Sequence, residues 1–126
     1  MQITQIYKCL CDTQRLRILN LLQAGPLCVC HLMEILGADQ VKISKQLRYL
    51  KEQGMVRGER RAQWMVYRLS ETDNPLLHEN LKCLQDLAGE ELSFQRDLEK
   101  RRKLLASLSG EAACCPDGFL DQQTRA

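Results

Sequence analysis

The run Asp39-Gln-Val-Lys-Ile-Ser-Lys-Gln-Leu-Arg-Tyr-Leu-Lys51, with the stop that follows it, leaves few folds open. Val41 or Ile43, Leu47 and Leu50 fall at helical spacing on one side, while Gln40, Lys42, Ser44, Lys45, Arg48 and Lys51 crowd the other. Glu52-Gln-Gly54 then ends the helix with glycine where a left-handed cap needs one. Two strand-like runs follow, residues 55–61 and 63–69. Trp64, Val66 and Tyr67 give the second β-branched and aromatic character, and the polar link at Arg61-Ala62 suits a hairpin. An amphipathic helix, a glycine stop and a ribbon make a winged helix-turn-helix, mainly α with a small β-hairpin.

The chemistry of the polar face agrees. Glutamine can hydrogen-bond adenine twice, lysine and arginine reach guanine or phosphate, and serine lets a helix approach the backbone closely. Gln40, Lys42, Ser44, Lys45, Gln46 and Arg48 are therefore the expected readers of double-stranded DNA, with Arg60, Arg61 and Gln63 on the wing against its backbone. A basic helical face is more often simply solvated; the ribbon beside it raises the DNA reading. The whole chain carries only +2, yet residues 39–68 hold eight Lys or Arg against three acids, so basicity is local and favours a defined footprint.

Upstream, residues 3–11 form a short first helix, Asp12 or Thr13 caps a second over 14–23, and Ala24-Gly25-Pro26 stops it. A third helix over 28–36 faces Val29, Leu32, Met33 and Leu36 inward, and Asp39 caps the reading helix. Downstream, Asn74-Pro75 opens a long helix with Leu77, Leu81, Leu84 and Ala88 near heptad spacing. That face either closes the core or pairs with a second copy, and dimerisation through it and the first helix is expected. A further helical run sets Phe94, Leu98, Leu105 and Leu108 against Arg101-Arg-Lys103. The expected division is a DNA-binding and dimerisation domain over 1–88, a helical extension over 89–109 and a flexible tail over 110–126.

The chain of 126 residues has no apolar run of membrane length, and its opening Met-Gln-Ile-Thr-Gln lacks a basic start before an apolar core. A cytoplasmic protein with no membrane partner is expected, and its seven cysteines are then thiols suited to soft metals or redox chemistry.

Lys8-Cys-Leu-Cys-Asp-Thr-Gln-Arg-Leu-Arg-Ile-Leu19, Gly25-Pro-Leu-Cys-Val-Cys-His-Leu32, the helix at 39–51 and Trp64-Met-Val-Tyr-Arg-Leu69 together resemble the ArsR-type metalloregulators, arsenic-responsive branch, over about residues 3–88. The resemblance implies a dimeric repressor that leaves its operator when a metal or metalloid binds. Leu27-Cys-Val-Cys-His-Leu32 resembles that branch's inducer motif, which implies Cys28 and Cys30 as ligands of As(III) or Sb(III), with no cofactor required. Where the branch often carries a third cysteine this chain has Met33.

Trivalent arsenic favours three sulfurs in a pyramid. Cys28 and Cys30 point to nearly opposite sides of a regular helix, so both face one ion only if that turn is distorted or extended. Candidates for a third sulfur, or for a separate site, are Cys83 and the vicinal pair Cys114 and Cys115; Cys9 and Cys11 read better as packed thiols. Zinc is disfavoured, since His31 and His78 stand without a partnering motif, and His31 is expected to face solvent or cap locally. Two alternatives keep the DNA module: a redox or polysulfide trigger, and a different soft metal. Against the redox trigger, Asn20 stands where such family members carry a cysteine. A third, a thiol enzyme such as an arsenate reductase, fails on context: Cys9 and Arg15, and Cys11 and Arg17, stand at Cys-x5-Arg spacing, but within the helical stretches 3–11 and 14–23 and not in a phosphate loop that follows a strand.

Overall fold

The structure, a computed structural model, describes residues 3–61, 64–71, 75–88 and 91–107. Its elements run α1 (Ile3–Cys9), α2 (Thr13–Gln23), β1 (Leu27–Cys28), α3 (Val29–Leu36), α4 (Gln40–Glu52), β2 (Val56–Arg61), β3 (Trp64–Leu69), α5 (Pro75–Ala88) and α6 (Leu92–Ala106). This is the winged helix-turn-helix expected, α3 and α4 being its two helices and β2 and β3 its wing.

Local chemistry sets the joints. The Asp12 carboxylate accepts the Arg15 backbone N–H at 3.0 Å and opens α2, and Asp39 accepts that of Lys42 at 2.9 Å and opens α4. Between α3 and α4 the chain turns through Gly37 at φ 63°, and α4 is followed by Gly54 at φ 76°, where any side chain would be strained. Ile18, Leu19, Leu21 and Leu22 of α2 meet Leu32, Ile35, Ile43, Leu47 and Leu50 in one core, closed by Val66 and Leu77. No described helix is long and apolar enough to cross a membrane.

Three expectations need correcting. The third helix starts at Val29, not Cys28, because Leu27 and Cys28 form a short strand that pairs antiparallel with β3, Leu27 opposite Tyr67 and Cys28 opposite Val66. The sheet order is therefore β1-β3-β2. Within α3 the fully buried side chains are His31, Leu32 and Ile35, with Val29, Met33 and Leu36 at the margin, so His31 does not face solvent. Arg101, expected on a polar face, is buried with Phe94 and Asp97 where α6 packs on α2 and α3. The reason is an ion pair: Arg17 of α2 donates through Nε and Nη2 to both Asp97 oxygens at 2.8 Å, turning that face of α6 inward. Leu108 lies outside the described residues.

Candidate nucleic-acid interface and cysteine site

Ile43, Leu47 and Leu50 fasten α4 to the core, so the opposite face is presented outward. Gln40, Lys42, Lys45 and Arg48 are exposed there and Ser44 is half-buried. Val41 joins them at 63% exposed, which settles the choice of inward residue in favour of Ile43. On the wing Arg57 and Arg60 are exposed, while Arg61 is half-buried and pairs with Glu59 at 3.1 Å. Gln63 lies outside the described residues.

Gln46 behaves differently from its neighbours. Its Oε1 accepts from Arg15 Nη1 at 3.1 Å, and its Nε2 donates to Asp12 Oδ1 and Gln14 Oε1, both at 3.2 Å. With both amide atoms so engaged it ties α4 to the start of α2. Arg15 extends the tie: its Nε and Nη2 donate to the Cys9 and Lys8 carbonyls at 2.9 Å, and its guanidinium lies 4.5 Å from the centre of the Tyr49 ring. One arginine therefore joins the end of α1, the start of α2 and the middle of α4. No local pattern marks this tie, because each contact lies across elements.

Cys28 and Cys30 sit at the junction of β1 and α3. Cys28 is 2% exposed and extended, with φ −78° and ψ 160°, and Cys30 lies in the first turn of α3. The extended backbone that two ligands two residues apart require is thus present. Both cysteines are disulfide-bonded here, whereas thiols were expected; each sulfur already has another within bonding reach. The Cys28 backbone N–H donates to His31 Nδ1 at 3.3 Å, so His31 does cap locally, from inside the protein. Burial holds its imidazole at about 4, well below the ordinary value, and the Arg101 charge pushes the same way.

Among the described residues no third free sulfur joins them in a metal-holding group. Cys9 is buried in α1, where burial pushes its thiol up against the opposing effects of Arg15 and a hydrogen bond with Tyr49. Cys11 and Cys83 are free and exposed. Among the described residues no three His, Cys, Asp or Glu form a metal-holding group. Cys114 and Cys115 lie outside the described residues.

Residues 12–57, from the cap of α2 into the wing, match the model of the bacterial regulatory protein, arsR family. The arsenical resistance operon repressor of Bacillus subtilis is 38% identical over 88 residues, covering 68% of this chain and 84% of that protein. The chain belongs to the ArsR family. It is a regulatory protein of that family and not an enzyme. The arsenic resistance transcriptional regulator ArsR1 of Pseudomonas putida is 43% identical over 65 residues, about half of each chain. Among solved structures, the homodimeric winged helix-turn-helix DNA-binding domain Mb0332 of Mycobacterium bovis, a possible ArsR-family regulator, superposes with a TM-score of 0.59. Its identity is 28%, over 71% of this chain and 81% of that one. The ArsR match ends in the wing, so Arg101 and Asp97 of α6 lie beyond it.

Proposed function

We propose that this ArsR-family chain is a dimeric transcriptional repressor acting in the cytoplasm, released from its operator when trivalent arsenic or antimony binds the thiolates of Cys28 and Cys30. The observation that carries the DNA half is the outward face of α4, where Gln40, Lys42, Lys45 and Arg48 project beside Arg57 and Arg60 of the wing. In this reading Gln40, Lys42, Ser44, Lys45 and Arg48 meet the major groove, Arg60, Arg61 and Gln63 meet the neighbouring backbone, and Gln46 holds α4 in place. Dimerisation is assigned to α1 and α5, which touch each other and leave Ile3 65% and Tyr7 52% exposed.

The inducer half rests on the β1–α3 junction and on soft-metal chemistry; the B. subtilis relative is itself named an arsenical resistance operon repressor. Cys28 is paired with Val66 of the wing's inner strand, and α3 leads through Gly37 into α4. Ligation that reshapes the junction therefore acts on both DNA-contacting parts, and lowers operator affinity because the inducer binds the DNA-free conformer better.

The DNA reading is tested with Lys42→Ala and Lys45→Ala together, using operator DNA enriched from a random duplex pool. Affinity should fall, and where both lysines also touch the phosphate backbone the slope of log affinity against log salt should flatten by about two phosphate contacts. An unchanged slope and affinity would remove the assignment. A second reading, a redox or polysulfide trigger, is favoured by the disulfide bonding of Cys28 and Cys30. Under it a disulfide-forming oxidant releases the operator while arsenite leaves the reduced protein bound; under the first reading arsenite alone releases it.

A further inference from the structure

Two of the most buried polar side chains lack a hydrogen-bond acceptor. Arg101 is 9% exposed, and its Nε and Nη2 are shut from solvent with no partner. His31 is 1% exposed; its Nδ1 accepts from the Cys28 N–H, so the ring proton belongs on Nε2, which also has no partner. The two come from α6 and α3, which pack together, and the Arg101 charge acts on the His31 ring. Four residues earlier on α6, Asp97 answers Arg17 with two oxygens, the satisfied counterpart of what Arg101 lacks. An unanswered buried guanidinium is a costly group that a packed methionine would avoid. His31 stands in the first turn of α3, next to Cys30, on the helix against which α6 carries Arg101.

We propose that Arg101 and His31 form an oxygen-accepting site beside the cysteine pair, holding the hydroxyl that remains on arsenic once two thiolates have bound. The inference rests on the reading of Cys28 and Cys30 as inducer ligands. With the cysteines first reduced by a thiol reductant, which supplies two electrons and two protons per disulfide, As(OH)3 and two thiols give (Cys-S)2As–OH and two waters. Two As–O bonds break, two As–S bonds form, and the thiol protons leave on the departing hydroxides, with no change of oxidation state. The remaining As–OH oxygen accepts from the Arg101 guanidinium and the His31 Nε2–H. An organoarsenical such as phenylarsine oxide forms two As–S bonds while its only oxygen leaves as water with the two thiol protons, and so offers these donors nothing. The site therefore selects inorganic over organic trivalent arsenic.

The test uses the full chain reduced with a phosphine, titrated with arsenite and with phenylarsine oxide, and read by sulfur-to-arsenic ultraviolet absorption. Arg101→Met should weaken arsenite by about tenfold or more and leave phenylarsine oxide within about twofold. His31→Phe should move the same ratio the same way, and Arg101→Lys, less disruptive to folding, should move it partly. Equal weakening of both arsenicals would make Arg101 structural only and overturn the proposal. So would three thiols consumed per arsenite, which leaves no hydroxyl. A further arm adds phosphate or arsenate to Cys28→Ser/Cys30→Ser protein: thermal stabilisation that Arg101→Met abolishes would mean a site for free oxyanions, not for arsenic-bound oxygen. If reduced wild type binds neither arsenical, the inducer reading itself falls and this one with it.

Discussion

Val41 stands 63% exposed in the first turn of α4, between Gln40 and Lys42 on the face assigned to DNA. The thymine methyl is the apolar feature of the major-groove edge, and an exposed valine at that place fits it. Replacing each operator thymine by uracil in turn should weaken wild type about fourfold at one position per half-site, the worth of one buried methyl, and Val41→Ala should be indifferent there. Uniform indifference of wild type would remove Val41 from the reading set. The apolar spacing left Val41 or Ile43 as the inward residue, and the fold decides for Ile43, which lies at i, i+4, i+7 with Leu47 and Leu50. The burial of His31 was not legible, because a lone histidine has no period. Its imidazole titrates at about 4 in the folded chain and near 6.5 unfolded, so between those values the unfolded state holds the extra proton. His31 therefore costs no stability above about pH 6.5, and stability falls by up to about 3 kcal/mol as pH drops from there toward 4. Melting across that range should fall less steeply in His31→Gln than in wild type; parallel curves would contradict the assignment.

At the scale of elements, α4 is held by its core face and by the Arg15–Gln46 tie. Gln46→Ala should lower stability by about 1 kcal/mol and weaken operator binding without altering the salt slope, whereas loss of an exposed Lys42 or Lys45 should leave stability unchanged and weaken binding with a flatter salt slope. A changed base preference in Gln46→Ala with no loss of stability would return Gln46 to the reading face. The Arg17–Asp97 pair fixes α6: Arg17→Met strands a carboxylate that is 1% exposed, and should destabilise by about 3 kcal/mol in denaturant titration. A loss below about 1 kcal/mol would show that α6 is held by its apolar contacts alone. The helices and the wing could be read from apolar spacing, caps and glycines, which are local signals. β1 could not, since two residues carry no alternation, and neither could the buried face of α6, whose Asp97 finds its partner 80 residues away.

In the whole molecule a DNA-reading surface is joined to a cysteine junction by two short paths, the strand pairing of Cys28 with β3 of the wing and the chain connection from α3 through Gly37 to α4. Membership of the ArsR family was carried by motifs spread along residues 8–69, whereas the placing of the two cysteines at a strand–helix boundary needed the fold. The measurement that bears most directly on the central claim follows operator-bound fluorescence anisotropy as arsenite is added to phosphine-reduced protein. Serine at position 28 or 30 removes a thiolate and barely changes volume, so basal operator binding should persist within about twofold. Wild type should be released by stoichiometric arsenite while Cys28→Ser and Cys30→Ser stay bound at concentrations at least about tenfold higher. Release of both serine variants at the wild-type arsenite concentration would contradict this claim, and would move the search for the trigger to Cys83, Cys114 and Cys115.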